Sequence, residues 1–218
     1  SDAVPYTPIY LGRCFVSATG RVQELTPELT ETFKGKVIGI DGFETPVKIK
    51  QDLIEAGASV RLMANPFALM QGTKNKTEIE GMRLAGLKES AALCQFFCAL
   101  EEHPQEGDEL SILKTLEHFR SENEDYRGNS FAPISAVGAH AALPHYEPQP
   151  GHAGQLKGAS VYLLDTGSQF LCGTTDVTRT VALGKPNALL IKRYTQVLKG
   201  HIALAKVVFP KGTGGAQL

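Results

Sequence analysis

The chain has 218 residues, a length typical of one large domain or two small ones. Its content of 42% hydrophobic and 21% charged residues matches an ordinary globular protein and excludes a largely disordered chain. No apolar run approaches the roughly 18 residues of a membrane span. The first residues lack the basic start and apolar core of a signal peptide, and the four cysteines form neither a disulfide framework nor a zinc pattern. We therefore expect a cytoplasmic protein.

The net charge of −1 hides an uneven distribution. Residues 177–218 contain no acidic residue, although they carry seven basic ones. These basic residues are spread through an apolar helical pattern without clustered aromatic residues, so no nucleic-acid partner is expected. An acidic partner segment outside this chain is the preferred explanation.

The first part of the chain predicts a small α/β unit. Residues 9–16 form an apolar β-prone run, and residues 36–41 read as a buried strand. Thr45 is a predicted N-cap, because Pro46 follows it at the first position of a helix that ends near residue 56. Residues 59–64 form another predicted strand. Strand, helix and strand in succession are typical of an α/β unit.

A polar joint at residues 72–76 predicts a domain boundary, with one domain at 1–74 and a second at 75–218. Thr77 and Glu80 form a predicted capping box for a long helix over residues 78–102. Apolar residues at helical spacing predict its core-facing side: Ile79, Met82, Leu87, Ala91, Cys94 and Cys98. We expect the two cysteines to be small core side chains, with a metal or redox role as the alternative.

The second domain mixes helices and strands. A second helix is predicted from Asp108 to about residue 120, and a third from Pro186 to about residue 208. Between them lie four β-prone runs, at residues 133–137, 159–165, 169–172 and 177–183. Mostly antiparallel strands between helices predict an α+β fold.

Two aspartates are the strongest chemical signal. Asp165 ends one predicted strand, and Asp176 lies near the start of a later one. A tight return would bring the carboxylates together, where a shared cation would relieve their repulsion. Oxygen ligands favour ions such as Mn²⁺ or Mg²⁺. The alternative is that both residues are solvated at strand ends.

The run Asp165-Thr166-Gly167-Ser168 also resembles the active-site loop of aspartic proteases. That chemistry needs a second such loop, so that two carboxyl groups share a proton, and no second copy occurs in the sequence. Three long helical patterns also argue against a small, mostly β protease. We therefore reject this alternative.

Several motifs together resemble the Xaa-Pro aminopeptidases (aminopeptidase P), a branch of the pita-bread metallopeptidases. They are Ser130 to Ile134, Gly138 to Tyr146, Tyr162 to Gly167, Gly173 to Thr180, Val197 to Ala203 and Phe209 to Thr213. The resemblance spans about residues 75–218. It implies that residues 75–218 are the first half of a pita-bread catalytic domain. Residues 1–74 more loosely resemble the C-terminal part of the preceding α/β domain.

The resemblance implies a dinuclear site with two divalent metal ions, typically Mn²⁺, held by two Asp, one His and two Glu. Asp165 matches the first family ligand, and Asp176 matches the ligand that bridges both metals. His145, which on its own reads as a core or surface histidine, matches a histidine that contacts substrate and stabilises the tetrahedral intermediate. Phe131 matches a position that lines the substrate pocket. The implied substrates are peptides with proline at the second position.

The sequence departs from the family pattern in two respects. His140 stands where many relatives have Asn. The family's His and both Glu ligands fall after Leu218, and no acidic residue follows Asp176. We therefore expect this chain to be a fragment with an incomplete metal site, inactive by itself. Its third helix should leave apolar surface exposed, and a homodimer is a further expectation.

Two other functions stay open at this point. Prolidase, which cuts only Xaa-Pro dipeptides, is the alternative enzyme, and peptide-length preference separates the two. The alternative from another class is a non-catalytic pita-bread domain that binds proteins. Because such domains usually lose their metal ligands, the presence of Asp165 and Asp176 argues against it.

Overall fold

The computed structural model describes residues 26–218 and, before them, residues 6, 14–16, 19 and 21–24. The chain divides by its contacts into two compact units, Ser1–Arg83 and Leu84–Leu218. Most of the predicted β run at 9–16 lies outside the described residues. In the part of the chain that is described, no helix is both long enough and apolar enough to cross a membrane.

The first unit has short strands and helices. Its elements, in chain order, are β1 (Cys14–Val16), β2 (Val22–Glu24), α1 (Pro27–Glu31), β3 (Val37–Ile40), α2 (Val47–Glu55), β4 (Ser59–Leu62) and α3 (Pro66–Gly72). Strands β1 and β2 pair antiparallel, whereas β3 and β4 pair in parallel, with α2 as the crossover. The predicted strand–helix–strand order is therefore confirmed.

The hydrophobic core described in this unit is small. Ile40, Leu53 and Ala58 are its buried hydrophobic residues. The predicted cap of α2 is wrong: the N-cap position falls on Pro46, and no side chain caps it. Proline lacks an N–H group and is tolerated at a helix start without a capping partner.

A long helix, α4 (Lys76–Glu102), follows. Its predicted capping box is displaced by two residues, because Asn75 and Glu78 form it in place of Thr77 and Glu80. The Glu78 N–H donates to the Asn75 side chain at 2.9 Å, and the Asn75 N–H donates to the Glu78 carboxylate at 2.8 Å. Asn is a strong N-cap residue, and this reciprocal pair satisfies two backbone donors at once.

The predicted core face of α4 is also wrong. Ile79, Met82, Leu87, Ala91, Cys94 and Cys98 are all exposed. The buried residues form a different stripe, consisting of Ala85, Glu89, Ala92, Leu93, Phe96 and Leu100. The helix carries apolar residues around most of its circumference, and the stripe that packs is the one that includes Glu89, which pairs with a buried arginine.

The second unit continues with two helices and six strands. These are α5 (Ser111–Ser121), β5 (Tyr126–Asn129), β6 (Ile134–Val137), β7 (Val161–Thr166), β8 (Ser168–Phe170), β9 (Gly173–Thr174), β10 (Val177–Ala182) and α6 (Ala188–Lys206). Two three-stranded antiparallel sheets result, with strand orders β10-β7-β6 and β5-β8-β9. The predicted α+β class and the four predicted strands are confirmed, whereas the short strands β5 and β9 were not predicted.

One face of the sheet β10-β7-β6 packs on the main core. Tyr162 and Leu164 from β7 are buried there against Phe96 and Leu100 of α4 and Leu116 of α5. Alternate residues of β7 point to the opposite face, where side chains are only half-buried. That opposite face carries the candidate site.

Candidate metal centre

Asp165 lies near the end of β7, on the less covered face of the sheet. It pairs with Ile134 of β6 on one side and with Thr178 of β10 on the other. Directly paired residues in an antiparallel sheet share a face, so these three side chains form a row across the strands.

Asp176 lies immediately before β10, two residues from Thr178. Because side chains alternate along an extended chain, Asp176 is placed on the same face as Thr178 and therefore on the face of Asp165. Diagonal neighbours of this kind have Cα atoms about 7–8 Å apart. The two carboxylates are thus within reach of a common ion.

The approach of these two segments depends on Gly167, which separates β7 from β8. A β-carbon at Gly167 would lie 2.0 Å from the Thr175 carbonyl oxygen and 2.3 Å from the Ser130 hydroxyl. Four hydrogen bonds stabilise this close approach of Gly167 and Thr175, which is called the crossing at Gly167 below. Ser130 donates two of them, and the other two join Ser168 and Thr175. Ser130 N–H donates to the Gly167 carbonyl at 3.0 Å, Ser130 Oγ to the Thr175 carbonyl at 2.9 Å, Thr175 N–H to the Ser168 carbonyl at 2.9 Å, and Ser168 N–H to Thr175 Oγ1 at 2.9 Å.

A buried ion pair connects two helices to the same crossing. The Arg120 guanidinium of α5 pairs with the Glu89 carboxylate of α4, and both side chains are almost fully buried. The other Glu89 oxygen accepts the Ser168 hydroxyl at 2.6 Å. Arg120 also donates to the Asn129 side chain at 2.8 Å. Helices α4 and α5 and strand β5 are therefore connected to Ser168 of β8, next to Gly167.

The donor set fits a divalent cation at Asp165 and Asp176. The Asp165 Oδ1 atom is buried and accepts no hydrogen bond within the described residues. An unpaired buried carboxylate oxygen is costly, and a cation would satisfy it. Carboxylate oxygens are the ligands that Mn²⁺ and Mg²⁺ prefer. Over residues 26–218 and the earlier described positions, no cluster of three or more His, Cys, Asp or Glu could hold a metal.

His145 and Phe131 occupy different surroundings. His145 is exposed, three residues after the short 3₁₀ helix Gly138–Ala142. Phe131 is half-buried and directly follows Ser130, which bonds to the crossing at Gly167. Phe131 therefore directly follows a residue that bonds to Thr175, the neighbour of Asp176. Among the described residues, no hydrogen bond or ion pair joins His145 to Asp165 or Asp176.

Sequence reasoning missed Glu109, whose side chain is fully buried. Its carboxylate accepts four hydrogen bonds from residues before, within and after the segment that contains His145. The donors are Val137 N–H at 2.7 Å, His140 Nδ1 at 2.8 Å, Tyr146 Oη at 2.6 Å and Gly154 N–H at 2.6 Å. Burial would raise the pKa of Glu109, but the four donors together outweigh it and hold the pKa below its ordinary value. No local pattern in the sequence identifies this group.

Burial and the bond to Glu109 raise the pKa of Tyr146 to about 12. Its hydroxyl therefore stays protonated at neutral pH and remains a donor to the carboxylate. The ring of Tyr146 stacks on the His140 ring, with centroids 4.4 Å apart and planes inclined by 26°. Glu109, His140 and Tyr146 thus form one connected cluster, called the Glu109 cluster below.

Comparison with known proteins identifies the family of the chain. The model of metallopeptidase family M24 matches residues 80–218. A "Probable Xaa-Pro aminopeptidase P" of Pyricularia oryzae is 44% identical over 158 residues, which cover 71% of this chain and 26% of the relative. A protein of the same description in Botryotinia fuckeliana is 33% identical over 99% of this chain and 38% of its own length.

The chain is also similar to solved structures. The X-prolyl aminopeptidase of Caenorhabditis elegans, described as a cytosolic enzyme with a di-nuclear active site, matches with a TM-score of 0.65 and 30% identity. The match covers 83% of this chain and 37% of that structure. A recombinant prolidase from Thermococcus sibiricus matches with a TM-score of 0.63 and 28% identity, over 83% of this chain and 48% of the other.

The chain therefore spans only 26–38% of the length of these two curated relatives. Because the family model covers residues 80–218, well over half of the chain, the chain belongs to metallopeptidase family M24.

Proposed function

We propose that this chain forms part of a metal-dependent aminopeptidase that releases the N-terminal residue from Xaa-Pro peptides. The observation that carries the proposal is the pair Asp165 and Asp176, diagonal across β7 and β10, with a buried Asp165 oxygen that has no hydrogen-bond partner in the described part of the chain. The 44% identity to a probable Xaa-Pro aminopeptidase P supports the substrate class. Residues 75–218 would be the first half of a pita-bread catalytic domain, and residues 1–74 part of a preceding α/β domain.

Asp165 and Asp176 would hold two divalent ions, Mn²⁺ in this proposal, together with ligands that the described residues do not supply. Metal ions in such a site supply Lewis-acid activation of water and of the scissile carbonyl. Asp165, fixed within β7, would offer its carboxylate to the ions from the sheet. Asp176, next to the crossing at Gly167, would offer its carboxylate from the start of the neighbouring strand.

His145 would donate a hydrogen bond to the carbonyl oxygen that precedes proline and stabilise the negative charge that develops there. Its exposed side chain is free to meet a peptide. Phe131 would line the pocket for the substrate. A dedicated site for proline is chemically reasonable, because the amide before proline lacks an N–H group that peptidases of other classes bind.

Prolidase is the second candidate function. It is supported by the match to the Thermococcus sibiricus prolidase, which has the same coverage of this chain as the aminopeptidase structure. The two differ in substrate length, since prolidase takes Xaa-Pro dipeptides. We propose the cytoplasm as the site of action, because the Caenorhabditis elegans enzyme is described as cytosolic.

The proposal is tested in a chimera of the Pyricularia oryzae relative in which the aligned stretch of 158 residues is replaced with the residues of this chain. With Mn²⁺ present, the chimera should release the first residue of an Xaa-Pro tripeptide. Asp165→Asn and Asp176→Asn should each abolish this activity.

The matched control is Glu124→Gln, which removes an exposed carboxylate of the same unit and should leave activity unchanged. Cleavage of dipeptides alone would favour prolidase. A folded chimera without peptidase activity, or full activity in Asp176→Asn, would overturn the proposal.

A further inference from the structure

The Glu109 cluster has no role in the metal chemistry proposed above, yet it contains the most completely satisfied buried carboxylate of the second unit. Glu109 is 0% exposed, and each of its two oxygens accepts two hydrogen bonds. Burying a charged group is costly unless it is fully paired. A buried carboxylate with all its hydrogen bonds made therefore holds in place the chain segment that supplies the donors.

The donors belong to one segment of the chain. Val137 precedes residues 138–154, Gly154 ends them, and His140 and Tyr146 lie within them. The backbone of Glu109 adds a further tie, since its N–H donates to the Gly154 carbonyl at 3.0 Å. A single carboxylate therefore fastens both ends and the middle of the segment that carries His145.

Close packing shows that the segment has little room to move at its end. A β-carbon at Gly154 would lie 2.5 Å from Val137 Cγ2 and 2.9 Å from Glu109 Oε1. Only glycine fits against the carboxylate without a shift of its neighbours. The close approach also explains how the Gly154 N–H reaches Glu109 at 2.6 Å.

His140 connects the carboxylate to the middle of the segment. Its Nδ1 atom bonds to Glu109, and its ring stacks on Tyr146, which bonds to the other oxygen of the same carboxylate. Tyr146 is the residue after His145. With the Tyr146 side chain held inward, the His145 side chain is left exposed at the surface.

We propose that Glu109 and His140 are positioning residues that fix the orientation in which the segment 138–154 presents His145. The proposal deepens the proposed function, on which it rests. Glu109 and His140 themselves do not touch substrate. Their action on His145 passes through the anchored Tyr146 ring and the backbone between residues 140 and 146.

The chemistry of His140 supplies a graded set of variants. Alanine removes both the donor to Glu109 and the ring that stacks on Tyr146. Asparagine keeps an N–H donor of similar reach. Glu109→Gln replaces one oxygen with an amide nitrogen that cannot accept, so two of the four donors lose their acceptor. Glu124→Gln is the matched control for removal of a carboxylate.

The first experiment uses the 218-residue chain and needs no activity. The amide hydrogen exchange rates of residues 140–146 and the NMR chemical shifts of the His145 ring are compared among the variants. We expect exchange to speed up at least about tenfold in His140→Ala and Glu109→Gln, with the His145 ring signals moved. His140→Asn should lie close to the parent and Glu124→Gln should match it. Unchanged His145 signals in His140→Ala would overturn the proposal.

The second experiment measures kcat and KM in the chimera. A misplaced active-site group lowers the rate about 10- to 100-fold. We expect kcat per folded molecule to fall by that factor in His140→Ala with little change in KM, alongside a lower Tm, and His140→Asn to recover most of both losses. A fall in Tm with kcat per folded molecule unchanged would reduce the cluster to a structural role. An inactive parent chimera, with the exchange results as expected, would count against the proposed function alone.

Discussion

Gly167 and Thr175 approach so closely that a β-carbon at residue 167 would stand 2.0 Å from the Thr175 carbonyl oxygen. The contact joins the end of β7, which carries Asp165, to the residue before Asp176. A backbone-to-backbone approach of this kind cannot be relieved by moving a flexible side chain. The spacing between the two aspartates therefore depends on the absence of a side chain at Gly167.

Gly167→Ala should destabilise the chain, because the methyl group forces the β7–β8 segment away from Thr175. We expect the free energy of unfolding to fall by about 1–3 kcal/mol or more. Metal affinity at Asp165 and Asp176 should fall as well. Gly86→Ala on α4 is the control, since nothing lies within 4 Å of its added carbon. It should be neutral or stabilise by about 0.5–1 kcal/mol. Equal urea midpoints for both variants would contradict the prediction.

Arg120→Met should cost about 3–5 kcal/mol of unfolding free energy, because it leaves the Glu89 carboxylate buried and unpaired. Removing both charges, in Arg120→Met with Glu89→Gln, should recover part of that loss. The exposed pair of Lys48 and Asp52 serves as the comparison, and Lys48→Met should cost less than about 1 kcal/mol. Urea unfolding measures all three variants, and similar losses at the two sites would refute the distinction.

Glu109 should make stability depend on pH in the acid range. Its pKa in the folded chain lies below the ordinary value near 4.5, so the ionised form stabilises the fold at neutral pH. This contribution is present above about 4.5 and is lost as the pH falls through the lower folded pKa. Glu109→Gln should cost about 1–3 kcal/mol at neutral pH, since donors lose their acceptor. Its unfolding free energy should also fall less steeply than that of the parent chain as the pH drops below about 4.5. If the unfolding free energies of Glu109→Gln and the parent chain fell in parallel with pH, Glu109 would not be the cause of the pH dependence.

Helix α6 should make the 218-residue chain self-associate. None of its residues is buried, and seven large hydrophobic side chains on it are exposed, namely Leu189, Ile191, Tyr194, Val197, Leu198, Ile202 and Leu204. Exposed apolar surface of this extent promotes association. Sedimentation velocity should show concentration-dependent oligomers, and Leu189→Gln with Val197→Gln should reduce them. Lys192→Gln on the same helix is the control. A monomer at all concentrations would contradict the prediction.

The sequence predicts those parts of the fold in which local signals agree. The β3–α2–β4 unit is of this kind, since β-prone runs and a helix pattern alternate there. The aspartate pair could also be identified, because Asp165 ends one predicted strand and Asp176 precedes a later one. The expected tight return between them is wrong, since the intervening residues form the strands β8 and β9. The site residues themselves stay a prediction until metal binding is measured.

Other features depend on contacts between residues far apart in the sequence. The packed stripe of α4 could not be chosen from periodicity, because apolar residues occur on several sides of the helix. Glu89 is buried only because Arg120, 31 residues later, pairs with it. Glu109 looks like a solvated residue near the start of α5, and its donors Val137 and Gly154 lie 28 and 45 residues away.

Paramagnetic line broadening by Mn²⁺ tests the central assignment most directly, because it locates even weak binding in the 218-residue chain. Added in small amounts, Mn²⁺ should first broaden the amide signals of residues 164–166 and 175–178. Asp165→Asn or Asp176→Asn should remove this selectivity, and Glu124→Gln should not. Broadening spread evenly over the exposed acidic residues, or unchanged in Asp176→Asn, would contradict a metal site at these two aspartates.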